Sequence, residues 1–323
     1  MRILILGATG FLGSNLALRY LYQGHEIIGV DNFASSDRNS QHFASLKKHK
    51  NFSFIEQDIC EDCGAVERLV WNCGEVCDAV LNFACIASPP RYQASPFETI
   101  RTSTVGVDNV LSAAFEHNCI VVHASTSEVY GDPEVTPQKE EYWGKVNSFG
   151  PRACYDEGKR CAEAYCWEYM RKGCDVRIVR IFNTYGPNMH PHDGRAVSNF
   201  INQALNDEDI TIYGDGRQTR SFCYVDDLVK GIMAMVNVQK GCLTSPVNLG
   251  NPIENTIGEI AQLVLDKIPE SKSKLVYKDL PADDPCRRQP DIMRAKDLLG
   301  WMPNVCLDVG LDTTIEYFRH LRK

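Results

Sequence analysis

The sequence predicts an α/β protein in which a doubly wound parallel sheet is followed by a smaller mixed α/β part. Three observations carry that prediction. Short apolar runs of buried-strand length recur as far as Phe182, a glycine-rich turn follows the first run at once, and helical periodicity fills the gaps between them. The expected division is 1–185 for the sheet domain and 186–323 for the smaller one, with some later segments returning to the first.

Arg2-Ile3-Leu4-Ile5-Leu6 is the first strand, and Gly7-Ala8-Thr9-Gly10-Phe11-Leu12-Gly13 follows directly. Leu12, Leu16, Tyr20 and Leu21 recur at helical spacing up to Gly24, and Glu26 to Val30 reads as a second strand. In that context Gly7, Gly10 and Gly13 form a dinucleotide fingerprint. Glycine permits the tight turn and the close backbone approach, while the helix N-terminus at Phe11 and Leu12 accepts a pyrophosphate. The sheet is therefore expected to be of Rossmann type. Asp31 stands eighteen residues past Gly13, where a carboxylate bonds ribose hydroxyls and repels a 2′-phosphate, which favours NAD over NADP. Asn32 and Phe33 are expected to line the adenosine pocket. Arg38 is the one nearby charge that argues for NADP.

Phe52 to Ile55 reads as a third strand ending at Asp58 and Ile59, a pair expected to face the adenine. Ala79 to Ala84 is the fourth strand, after which Ala84 to Ser88 should pass beneath the cofactor and Pro89-Pro90-Arg91-Tyr92 should break into a loop. Thr102 to His117 has helical periodicity, and Ile120 to Val122 is another buried strand. A helix holding Tyr155 and Lys159 continues through Ala162, Tyr165 and Tyr169 into the strand Val176 to Phe182, which breaks at Asn183-Thr184-Tyr185-Gly186-Pro187. Further on, Thr211-Ile212-Tyr213 leads to a turn with Arg217 and Arg220, Phe222 to Leu228 starts a helix, and Pro246 to Gly250 is a short strand. The helix from Thr102 and the Tyr155 helix are expected to form a face that pairs with its copy as a four-helix bundle, giving a homodimer.

The net charge of −8 argues against a surface that binds nucleic acid, because it repels phosphate backbones. No window approaches the roughly 18 apolar residues of a membrane span, so a cytoplasmic chain without membrane attachment is expected. The fourteen cysteines lack the density of a disulfide scaffold and read as reduced thiols. Cys60 and Cys63 with Cys73 and Cys77 have a spacing zinc accepts, but incidental thiols are the better reading and no metal is expected.

The chemistry concentrates between Ala124 and Lys159. Tyr155 and Lys159 lie four apart on one helical face, so the ammonium beside the phenol favours a phenolate near neutral pH. Thr126 and Glu128, at the end of the strand that Ile120 opens, point into the same cleft. Together the four residues suit general acid–base work. The arginine pairs Arg217/Arg220 and Arg287/Arg288 stand out in an acidic chain and suit a nucleotide diphosphate.

In Ser125-Thr126-Ser127-Glu128-Val129-Tyr130-Gly131, Gly150 to Arg160, Arg180 to Pro187, and Asp193-Gly194-Arg195 with Ser198-Asn199-Phe200, the sequence resembles the extended short-chain dehydrogenase/reductases. Within them it is most similar to UDP-glucuronic acid decarboxylases, over nearly the whole chain. The resemblance implies NAD that stays bound and is recycled, UDP-glucuronate as substrate, and the UDP-pentose UDP-xylose as product. It implies Tyr155, assisted by Lys159 and Thr126, as the base at sugar O4. Glu128, through a water held with Ser127, would help protonate C5. Asn183, Ser198, Tyr213 and Arg220 are implied as substrate ligands, Tyr92 as a sugar-pocket residue, Arg195 and Arg288 as phosphate ligands, with Arg195 on the cofactor side, and Thr184 as a neighbour of the nicotinamide. Ser127 separates the sister reactions: related 4,6-dehydratases carry an Asp there as the acid that expels a C6 hydroxyl, and 4-epimerases lack the Thr-x-Glu arrangement. Release of UDP-4-keto-pentose, formation of UDP-apiose, and a related epimerase or dehydratase reaction stay open. Phe83 to Ala87 and Ser148-Phe149 depart from the family's usual residues.

Overall fold

The computed structural model describes residues 1–72, 75–280 and 287–322; Cys73 and Asp283 to Cys286 lie outside them. Seven strands form the main sheet, in the order Val247–Leu249, Asp175–Ile181, Ile120–Thr126, Ala79–Asn82, Arg2–Leu6, Glu26–Asp31 and Phe52–Glu56. Every neighbouring pair is parallel. The first strand shows why the apolar runs lack alternation. Ile3 and Ile5 face one hydrophobic core with Leu16 and Ala17, whereas Leu4 and Leu6 face the other with Val110 and Leu111. Both faces are covered, so each position takes an apolar side chain, worth about 1.5–3 kcal/mol when fully buried.

From Arg2–Leu6 the chain winds outward through two strands, returns to Ala79–Asn82 on the opposite flank, and winds outward again. The strand order therefore reverses between these two strands. A crevice opens beyond their carboxyl ends, where open α/β sheets bind ligands.

The later residues build three small sheets. Thr219–Ser221 lies between Glu254–Thr256 and Arg287–Arg288, Ile210–Tyr213 pairs with Leu275–Lys278, and Thr184–Tyr185 pairs with Cys223–Tyr224. The strand Val247–Leu249 returns to the main sheet beside Asp175–Ile181.

Several elements differ from the sequence reading. Pro89 to Tyr92 is not a loop but the start of a helix, Pro89–Ala94, because proline is well placed in a first helical turn where its missing N–H has no partner to lose. The helix expected from Thr102 begins earlier, at Pro96–Arg101, passes through a π-helical stretch at Thr102–Gly106, and continues as Val107–Glu116. A short strand precedes the helix Val225–Asn237 that was expected to start at Phe222. Cys60 reaches toward the Thr102 hydroxyl and Cys77 toward the Leu69 carbonyl, so these two thiols have separate neighbours. Among the described residues no group of three or more His, Cys, Asp or Glu side chains can hold a metal ion. No helix among them is long and apolar enough to cross a membrane.

Candidate active site

A cleft of about 830 Å³ runs from the glycine turn, across the ends of the central strands, to the small sheets of the second half. At one end Gly7 adopts φ +78°, and a Cβ there would stand 2.7 Å from the backbone of Phe83. At Gly13 a Cβ would stand 2.1 Å from the Gly7 carbonyl oxygen, so the turn closes only with glycine. The helix Phe11–Tyr22 starts with no side chain capping it, and Gly10, Phe11 and Leu12 line the cleft. Its first N–H groups suit a pyrophosphate. Asp31 is buried, with its carboxylate accepting from the N–H groups of Thr9 and Phe33. Asn32 donates to Asp58, joining the ends of the second and third strands, and Ile59 is buried beside them. Phe33 does not line the cleft: it takes φ 59° and packs against Phe43 and Phe54. Arg38 forks onto Glu56 at 2.5 and 2.6 Å, so the cation that argued for NADP is already paired. An acid at Asp31 and a neutralised Arg38 fit NAD.

At the centre, Ile120–Thr126 delivers Thr126 to the cleft and a 3₁₀ turn, Ser127–Tyr130, follows. The Thr126 hydroxyl caps that turn by accepting from the Glu128 N–H. Tyr155 lies in the first turn of the helix Ala153–Arg171 and Lys159 one turn later, and both line the cleft. The Lys159 ammonium donates to the Ala124 carbonyl at 2.8 Å and sits 6.0 Å from the Tyr155 ring centre. His123, buried on the same strand, is pushed down to about 3 by burial and by Lys159, and stays neutral.

The phenolate expectation needs correction. Burial holds the Tyr155 phenol well above its ordinary value, and the nearby Cys85 and Glu128 add to this, while Thr126 and Arg195 act in the opposite sense. The polypeptide's own groups therefore keep Tyr155 protonated near neutrality. Tyr92 stacks flat on Tyr155, with ring centres 5.0 Å apart and planes at 5°, so it fixes the ring's tilt. The Tyr92 hydroxyl is buried without a partner.

An arginine-rich wall closes the other side; Arg152 is its member that the sequence reading missed. Glu128 accepts from Arg152 at 2.5 Å and pairs with Arg288 at 3.2 Å. Burial would raise the Glu128 carboxyl, but Arg288, Arg152 and Arg220 together hold it below its ordinary value. Arg152 reaches the next acid as well, at 3.6 Å from Asp156. Burial and the charge of Glu128 push Asp156 up to about 7, with Arg152 and Arg288 opposing. Arg288 departs from the phosphate-ligand expectation. It is fully buried, and its guanidinium also donates to the carbonyls of Ser127 and Gly131, so it fixes the turn that carries Glu128.

Asn183, Thr184, Tyr213 and Arg220 line the cleft, with Tyr213 exposed and Arg220 buried. Ser198 does not: it is fully buried, and its hydroxyl caps back onto the Arg195 carbonyl. Arg195 lines the cleft near Tyr155 but is gripped by Asp193. The loop before it forms a roof, where the Ser88 hydroxyl donates to the Asp193 carbonyl and Gly194 leaves room for Pro90.

Comparison with known proteins agrees with this geometry. Residues 3–250 match the model of the NAD dependent epimerase/dehydratase family. The chain is 49% identical over 320 residues to UDP-glucuronic acid decarboxylase 1 of Xenopus tropicalis, covering 98% of this chain and 72% of that protein. The solved UDP-glucose 4-epimerase of Thermotoga maritima superposes with a TM-score of 0.90 at 27% identity, over 100% of both chains. UDP-glucuronic acid 4-epimerase from Bacillus cereus, solved with UDP-glucuronic acid and NAD, gives 0.89 at 27% identity over 99% of this chain and 100% of that one. The chain belongs to the NAD dependent epimerase/dehydratase family.

Proposed function

We propose that this protein converts UDP-glucuronate to UDP-xylose by decarboxylation, using resident NAD. The observation that carries the proposal is the meeting, in one cleft, of Tyr155, Thr126 and an ionised Glu128 with three arginines in an otherwise acidic chain. Arg220 in that wall suits the anionic groups of a sugar nucleotide.

NAD, which the turn 7–13 and Asp31 would hold, would supply reversible hydride acceptance at sugar C4. For Tyr155 to take the O4 proton in the first step and return it in the last, the positive charge of bound NAD, beside Lys159, would have to lower the phenol from the raised value that burial gives it in the chain alone. With a ketone at C4 the substrate is a β-keto acid, and loss of carbon dioxide leaves an enolate whose oxygen the Tyr155 and Thr126 hydroxyls stabilise. Glu128, held ionised, is an acceptor and not itself the acid: it orients a water that delivers a solvent-derived proton to C5. Serine at position 127 supports this reaction over dehydration, since a hydroxyl does not readily provide the proton that expels a C6 oxygen.

We further propose that 1–185 binds the cofactor and 186–323 the UDP-sugar. Phe97, Ile100 and Val105 beside Trp167 are exposed on neighbouring helices and support a homodimer through a four-helix bundle. The described cysteines are all free thiols, which supports a reducing, cytoplasmic setting.

The test is release of carbon dioxide from UDP-glucuronate by the wild type and by Tyr155→Phe. Loss of the phenol should lower kcat about 1,000-fold with NAD content unchanged. A variant with undiminished turnover would contradict the assignment. The 4-epimerase relative that binds UDP-glucuronic acid supports a second reading, epimerisation, whose signature is UDP-galacturonate without carbon dioxide.

A further inference from the structure

Two buried carboxyl groups compete for one guanidinium at the edge of the cleft. Arg152 is the N-cap of the helix Ala153–Arg171; its Nη2 lies 2.5 Å from Glu128, while its Nε lies 3.6 Å from Asp156, one turn along. Glu128 lines the cleft; Asp156, one turn into the helix, is not part of its lining. Asp156 Oδ1 is buried with no hydrogen-bond partner, a costly arrangement for an ionised carboxylate. The other groups that reach Asp156 are Arg288 from the strand Arg287–Arg288, Tyr92 from Pro89–Ala94, and Cys154 from its own helix. The segment Thr102–Gly106 sets the uncharged Ser103 against this helix at Gly158.

We infer that Asp156 is a positioning residue for the reaction: it shares Arg152 with Glu128, and its protonation state decides whether that arginine is aimed at Glu128 or drawn back onto the helix. While Asp156 holds a proton, Arg152 braces Glu128 together with Arg288. Once Asp156 loses the proton, a second buried charge needs compensation, and Arg152 is the cation its own helix provides at one turn's distance. Glu128 then loses one of its two ion-pair contacts and its fixed orientation toward the sugar. The upward displacement of Asp156 and the downward displacement of Glu128 put the single proton of the pair on Asp156 near neutral pH, in agreement with this division. The kinetic part of this inference rests on the decarboxylase function proposed above.

The experiment has two arms. In the first, wild-type kcat for carbon dioxide release should fall about threefold or more between pH 6.5 and 8.5, along a single-proton limb. Asp156→Asn, neutral at every pH, should exceed the wild type by about threefold at pH 8.5, with KM within about twofold, and show no such limb, while Asp156→Glu should restore one. An Asp156→Asn profile parallel to that of the wild type would overturn the inference. In the second arm, with carboxyl-¹³C aspartate in the NAD-loaded protein and no substrate, one resonance absent from Asp156→Asn should titrate between pH 6 and 8. A resonance for Asp156 that does not move in that range would also overturn it. A wild type that releases no carbon dioxide would rule out the decarboxylase function, and the second arm would still decide the carboxyl pair.

Discussion

On one wall of the cleft the turn 7–13 presents backbone; on the other, Glu128, Arg152, Arg220 and Arg288 present charge. The first wall is local. Its three glycines lie within seven residues, and its dimensions follow from one close contact, Gly13 against the Gly7 carbonyl. The second is assembled from four separate stretches of chain that meet only when the sheet and its later additions have folded. Local walls fail by steric overlap and lose a ligand, whereas assembled charged walls fail by losing compensation and lose a reaction step. The two should therefore be separable by mutation.

The largest expected effect is on the backbone wall. Gly13→Ala puts a methyl into the Gly7 carbonyl, so NAD retention should drop by about 100-fold or more and activity with it, as measured on the purified protein by released nucleotide. Glu128→Gln should lower kcat about 100-fold with NAD content unchanged. A parallel loss of NAD would show that the two walls are not independent. Next comes Asp31→Ala, expected to weaken NAD about tenfold and to narrow the preference over NADP, while Arg38→Ala should change either affinity less than about twofold because Glu56 already neutralises it.

The smallest effect concerns stability. Asp156 has its folded-state value raised from 3.8 to about 7, so the folded chain keeps a proton that the unfolded chain has released. Stability is therefore lost as pH rises from about 4 through 7, and the penalty is complete above that. Asp156→Asn removes it and should raise Tm by roughly 2–4 °C at pH 8, with little change at pH 4, by calorimetry at both values.

The sequence disclosed the backbone wall almost completely because strand, glycine turn, helix and Asp31 are contiguous and each has a local physical requirement. Thr126, Glu128, Tyr155 and Lys159 were found for the same reason, two short motifs at the ends of elements with clear periodicity. The charged wall was only half visible. Arg152 sits inside the very stretch that drew notice, but nothing local shows that Glu128 will fold onto it. As a cation in a loop Arg288 reads as a phosphate ligand, but the buried carbonyls of Ser127 and Gly131 claim it first. Ser198 has the residue type of a ligand but faces its own helix start. At Pro89 the error was one of position: proline breaks a helix from within and begins one readily.

The most direct test of decarboxylation with an internal hydride cycle is NMR of the sugar nucleotide formed from UDP-glucuronate in D₂O, with no NAD added. UDP-xylose should form with one deuterium at C5 per molecule, from the solvent-derived proton, and none at C4, whose hydrogen returns from the bound cofactor. Deuterium at C4 would contradict the closed cycle. UDP-galacturonate with its carboxylate intact would contradict decarboxylation itself.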